Sequence, residues 1–291
     1  MTTRMPHPVL RLLAGSVLAT GLFAQSPAPK IDFPAPSPAA SFKQRVGLTD
    51  IEVEYSRPSM NGRKIFGGLL PFGTVWRTGA NTATKISFST AVKFGGTNVP
   101  AGSYALYSIP GADEWTVILN KVTGQWGAYQ YDQANDLVRV KVKPVAVPAP
   151  VETFSIGVAE LKSETATLYL LWENTRVPVK LEFDVVSVLG PQIEAVMASD
   201  NPKKPYFPAA MFYLDHNLDL KKAAAWMDAA IAANPDAYYM IYRKGLILEK
   251  AGDKAGALAA AKQSIEVASK DKGPAKDEYL HLNEMLIARL K

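Results

Sequence analysis

Hydrophobic and polar positions alternate with period two along most of the first two thirds of the chain. In Thr49–Tyr55, Ile51, Val53 and Tyr55 face one way while Glu52 and Glu54 face the other, the mark of a half-buried strand. Strand signals begin at Phe42, and the same period returns in Thr84–Thr90, Tyr104–Ile109, Trp115–Asn120, Leu137–Lys143, Phe154–Val158, Thr167–Trp172 and Val177–Val185. Turn signals separate these runs at Gly95-Gly96, Ala101-Gly102, Pro110-Gly111, Gly124, Pro148 to Pro150 and Asn174. About nine short strands with no helical period between them predict an antiparallel β-sandwich or jelly-roll-like domain over residues 41–190.

The period changes after Gly190-Pro191. Pro202, Pro205 and Pro208 punctuate a stretch read as a hinge, residues 191–208, and residues 209–291 carry a helical pattern rich in Ala, Leu and Lys. Asp219, Ala223, Ala229 and Ile231 are followed at an offset of 34 by Asp253, Ala257, Gln263 and Ile265. That spacing predicts tetratricopeptide-like hairpins, two units and a final helix over Lys276–Leu290. Two units fall short of a free-standing array, so they are expected to lean on the sandwich. The fold class is therefore α+β and multi-domain.

The N-terminus adds an expected destination. Arg4 and Arg11 with the apolar run Val9–Phe23 read as an export signal over residues 1–24, cleaved near Ala24. The run is short for a bilayer span, so no stable membrane anchor is expected. Residues 25–40, rich in Pro, Ala and Ser, read as an extended linker. Loss of residues 1–24 removes two arginines and no acid, taking the formal net charge from +5 to +3, and no basic run argues for nucleic acid. With no cysteine, disulfides, thiolate metal sites and a cysteine nucleophile are excluded. The expected location is periplasmic or secreted.

Of three histidines, His7 falls in the signal, and His216 and His281 in the helical half. The β-rich part thus lacks the residue that Ser-His triads and common zinc sites require. His216, at a predicted helix end, is expected to cap the last carbonyls. Asp113, Glu114, Asp132, Asp136, Glu152 and Glu173 could supply a glycosidase pair, though no motif marks any two of them. No phosphate loop, dinucleotide fingerprint or calcium-loop spacing is present, and no cofactor or metal is expected.

Two glycine-rich loops carry the remaining chemistry. The first, Tyr55–Ser89, holds Arg57, Arg63, Trp76, Arg77 and Asn81. Guanidinium forks suit carboxylates, phosphates or sugar hydroxyls and stack on aromatic rings. The same arginines could equally tie down a long connection by bonding its carbonyls, with Trp76 plugging the end of the sandwich. The second loop, Gly124–Asp132, holds Trp126 and Tyr129, a stacking platform or an edge cover. Trp115 and Trp172 lie on predicted strands and read as core.

Val46-Gly47-Leu48-Thr49, Tyr55-Ser56-Arg57-Pro58, Gly62-Arg63, Phe66-Gly67-Gly68-Leu69 and Val75-Trp76-Arg77-Thr78-Gly79-Ala80-Asn81 together resemble domain-of-unknown-function family 2911. Ala101-Gly102-Ser103-Tyr104, Glu114-Trp115-Thr116, Asn120-Lys121, the Tyr129, Tyr131-Asp132 and Asp136 group, and Trp172-Glu173-Asn174 extend the likeness. The resemblance implies an exported bacterial β-rich domain, commonly followed by an Ala-rich helical tail, and it carries over no catalytic residue. The resulting expectation is a non-catalytic periplasmic binding or interaction module. Its ligand-binding candidates are Arg57, Arg63, Trp76, Arg77, Asn81, Trp126 and Tyr129, taking a small polar ligand or glycan, with a protein partner at the helical repeats. A carboxylate-dependent glycan hydrolase and a purely structural scaffold are the alternatives.

Overall fold

In a computed structural model of the chain, residues 1–2 and 33–291 are described. The expected signal segment, all but its first two residues, and the linker as far as residue 32 lie outside them. Ser37–Lys291 forms one compact unit.

Among the described residues ten strands build two antiparallel sheets, and six α-helices follow. The larger sheet orders β1 (Ala39–Val46), β2 (Thr49–Ser56), β3 (Thr84–Phe88), β6 (Gly102–Ile109), β7 (Trp115–Asn120) and β8 (Asp136–Val142). The smaller orders β5 (Thr97–Val99), β4 (Val92–Phe94), β10 (Thr165–Glu182) and β9 (Val145–Ala159). The predicted alternation sorts side chains as expected: Ile51, Val53, Ile86, Leu106 and Val117 from one sheet share a buried core with Phe154, Leu168, Leu170 and Leu181 from the other. Strand β7 is buried on both faces, because a loop over residues 121–135 covers its outer side.

Several boundaries differ from the pattern in the sequence, each for a local reason. Pro148 and Pro150 do not turn the chain; they lie within β9, an edge strand, where one side has no ladder to lose. Asn174 marks no turn either. β10 runs straight through, with register irregularities on both sides of Glu173, whose φ is +52°. Gly95-Gly96 closes the extra hairpin β4–β5, both glycines at positive φ. The expected linker already pairs at Ala39.

The expected hinge is largely helical. α1 spans Val185–Ala198 with Pro191 inside, started by Asp184, whose carboxylate accepts from Ser187 N–H at 3.0 Å. Then come α2 (Tyr206–Asp215), α3 (Leu220–Ala233), α4 (Tyr238–Lys250), α5 (Lys254–Lys270) and α6 (Lys276–Leu290). Asp219 caps α3 and Asp253 caps α5, 34 residues later, each through its side chain. Ala223 and Ala257 are fully buried at matching positions. At Gly245 an added Cβ would stand 3.0 Å from Leu286, so α4 and α6 approach closely because no side chain intervenes.

The helices join the sandwich through packing. Leu189 of α1 and Phe212 of α2 lie against the sandwich core. His216 does not turn its ring to the carbonyls that end α2; Nδ1 lies 3.1 Å from Glu164 Oε2, before β10, with the imidazole tilted against Phe212.

Candidate functional site

The long connection from Arg57 to Ala83 turns inward. Ile65, Phe66 and Trp76 are buried in the sandwich core, and Phe66, Trp76, Trp115, Phe154 and Trp172 form one aromatic cluster. Trp76 stacks on Trp172 at 5.9 Å between centroids, and Phe66 meets Trp115 edge-on at 4.8 Å. The indole N–H of Trp76 donates to Gly79 O, and that of Trp172 to Glu152 O, each at 3.0 Å. Trp76 is only 5 % exposed and presents no ring face to a ligand. It acts as the plug.

Several polar side chains of this connection bond to neighbouring main-chain groups. Arg57 Nε donates to Phe154 O at 3.0 Å, joining the connection to β9. Arg63 is exposed but curls back, donating from Nε to Met60 O and from Nη2 to Ser59 O at 2.8 and 2.7 Å. Glu173, lifted out of regular pairing by its positive φ, accepts from Ile65 N–H and Phe66 N–H. Asn81 donates to Ser37 O and Ser56 Oγ.

Arg77 is placed differently. Trp76 exchanges both main-chain hydrogen bonds with Ser108, which turns its ring to the sandwich core and its neighbour Val75 to the outer face of the larger sheet. There a second, smaller core of Ala83, Ala105, Tyr107 and Ile118 is roofed by Ala128 and Tyr131 from the loop over β7. This loop is anchored at both ends. Gly127 N–H donates to Asn81 O, Ala83 N–H to Gln125 O, and Tyr107 OH to Gln125 Oε1. Asp136 accepts from Asn120, Tyr131 and Arg139. Burial and the hydrogen bond to Asp136 push the Tyr131 phenol up to about 12. Burial and the Asp136 charge push the Tyr107 phenol up as well.

What this loop leaves outside is aromatic. Trp126 is 64 % and Tyr129 85 % exposed, whereas Trp76, Trp115 and Trp172 are each 5 % or less. The Tyr129 ring lies over Gly127, and Arg77 Nη1 reaches the same point, 3.5 Å from where a Cβ would stand. The structure thus separates the candidates. Arg77, Asn81, Trp126 and Tyr129 meet around one loop; the side chains of Arg57 and Arg63 are turned to other carbonyls, and Trp76 to the core.

Beside this loop lies a groove of about 710 Å³ whose lining includes Thr123 and Gly124 of the loop, Ser41, Ser56, Thr82 and Ala83, and the charged pair Glu54 and Lys85. Ala39, Ala40 and Ser41 of β1 and Ser56 of β2 are small residues in its lining that carry no sequence signal of a site; only the run Ala39-Ala40-Ser41 could have hinted at one. Glu54 is the carboxylate of this lining and is paired with Lys85 at 2.7 Å. Five of the six acids considered for hydrolysis, all but Asp113, are engaged elsewhere: Glu114 with Lys141, Asp132 at the cap of the 3₁₀ turn Gln133–Asn135, Asp136 in the Tyr131 network, Glu152 with Asn61 N–H, and Glu173 with the Ile65 and Phe66 amides. Among the described residues no group of three His, Asp or Glu is placed to hold a metal ion. A second cavity, about 840 Å³, lies between β4–β5 and the start of α1.

Residues 37–181 match the family described as protein of unknown function, DUF2911, and the β-rich part of the chain belongs to that family. No curated protein and no solved structure matches the chain.

Proposed function

We propose that the DUF2911 domain of this chain is the non-catalytic ligand-binding module of an exported protein, and that its contact surface is the aromatic loop over β7 with the adjoining groove. The observation that carries this reading is the exposure of Trp126 and Tyr129 on a loop hydrogen-bonded into the fold. Rings held rigidly in solvent lose little entropy on contact and stack on flat apolar faces such as those of sugar rings. The hydroxyl groups of Ser41, Ser56 and Thr82 in the groove lining suit a polyhydroxylated ligand. Hydrolysis would require two carboxylates across the groove, and the lining brings one.

The test is a glycan array probed with the full chain and with a Trp126→Ala/Tyr129→Ala double variant. The expected result is retention of at least one glycan class by the parent and loss of it, by tenfold or more, in a double variant of unchanged melting temperature. Retention by the double variant would refute the assignment of this surface, and an array with no retained glycan would refute the ligand class.

The tail is read as two tetratricopeptide-like hairpins, α2–α3 and α4–α5, closed by α6. The capping aspartates and buried alanines recurring at 34 residues support that reading. Phe207, Tyr239 and Tyr279 form a run of rings across α2, α4 and α6, and would offer the face for a protein partner. Tyr239→Ala should weaken capture of such a partner and leave glycan retention intact.

A further inference from the structure

Among the described residues, two buried polar side-chain atoms lack a hydrogen-bond partner, Arg77 Nε and Asn283 Oδ1. Asn283 of α6 is fully buried against α5, with its Nδ2 donating to Ser264 Oγ and Tyr279 O. Arg77 is the more consequential. Its guanidinium makes no hydrogen bond to any described residue, and no described carboxylate lies within ion-pair distance of it. The comparable arginines nearby each find an acceptor: Arg57 and Arg63 in carbonyls, and Arg139 in Asp136 and Tyr131.

A guanidinium is charged at every accessible pH, and its fork is shaped for a carboxylate. With Nε sealed and the residue still partly exposed, the terminal nitrogens are the part open to an outside acceptor. One of them, Nη1, lies against Gly127, between Trp126 and Tyr129 in the loop. Leaving a partly desolvated cation without a counter-charge is unfavourable, and an anion supplied by a ligand removes that cost.

We propose that Arg77 is the anion-recognising residue of the aromatic loop, and that the ligand is an acidic saccharide whose ring stacks on Trp126 or Tyr129 while its carboxylate takes the Arg77 fork. This deepens the binding-module reading and rests on it. The exposed rings supply affinity for any sugar face; Arg77 supplies the choice of an acidic one.

The experiment titrates the full chain with a galacturonate oligomer and with the same oligomer methyl-esterified, which removes the charge and keeps the ring. The readout is tryptophan emission, with Trp126→Phe identifying the responding indole. The parent should bind the acid at least tenfold more tightly than the ester. R77Q should bind both equally, at the ester's affinity, and R77K should recover only part of the preference because it restores charge without the fork. If the ester binds as tightly as the acid, or if R77Q keeps the preference, Arg77 recognition is overturned while the binding module stands. If neither oligomer changes the emission or competes with a glycan retained on the array, the acidic-saccharide assignment falls while the binding module stands; if the array retains no glycan either, both fall. Should R77Q fold poorly, the acid-to-ester ratio on the parent chain and R77K decide the matter.

Discussion

Two loops of this domain share a glycine-rich, single-tryptophan make-up and have opposite roles. The connection Arg57–Ala83 and the loop over residues 121–135 are both rich in glycine, both carry a tryptophan, and both are pinned by hydrogen bonds to neighbouring strands. In the first, the tryptophan is inserted among Phe66, Trp115, Phe154 and Trp172, and two arginines hold the backbone over it. In the second, small residues and Tyr131 cover the sheet while Trp126 and Tyr129 stay in solvent. The lesson is that the number of aromatics, three in each loop, does not distinguish a plug from a platform. What distinguishes them is whether main-chain acceptors consume the polar groups and whether a cavity receives the ring.

The sharpest way to break this comparison is to remove the ring that fills the end of the sandwich. Trp76→Ala should cost about 3–5 kcal/mol, by the usual cavity penalty, and denaturant unfolding will show whether the domain survives it. A loss below 1 kcal/mol would mean that the ring is dispensable and the plug is not one. Glu173→Ala tests the hydrogen bonds that hold the plug: the Ile65 and Phe66 amides lose their acceptor, at about 1–3 kcal/mol, read from the same unfolding curves. Unchanged stability would show that solvent replaces the carboxylate. Trp126→Ala should lie within about 0.5 kcal/mol of the parent, as expected for a side chain that is mostly exposed. A large loss there would turn the platform into a second plug and end the binding proposal.

Much of the architecture is legible before any coordinates. Alternation in Thr49–Tyr55 and Leu137–Lys143 places strands with the correct inward face, and the 34-residue recurrence of Asp219 at Asp253 places two helix starts. The misreadings are of one kind. Pro148, Pro150 and Asn174 are turn residues by local preference, yet an edge position and a bulge accommodate them within long strands. Pro191 lies inside a helix because Asp184 starts it and its apolar residues pack on the tail and sandwich. The candidate site was half legible. Trp126 and Tyr129 stand in a loop flanked by glycines, but nothing in the spacing says that Arg57 and Arg63 bond carbonyls while Arg77 does not.

By itself the chain determined its two-layer β body, its helical tail and the absence of thiol chemistry, because periodicity and residue counts are local or global properties of the sequence. Only the tertiary structure decided which aromatic rings are solvated and which buried guanidinium nitrogen finds no acceptor among the described residues. Those outcomes depend on partners 30 to 100 residues away, such as Ser108 opposite Trp76 and Phe154 opposite Arg57, brought together by sheet pairing.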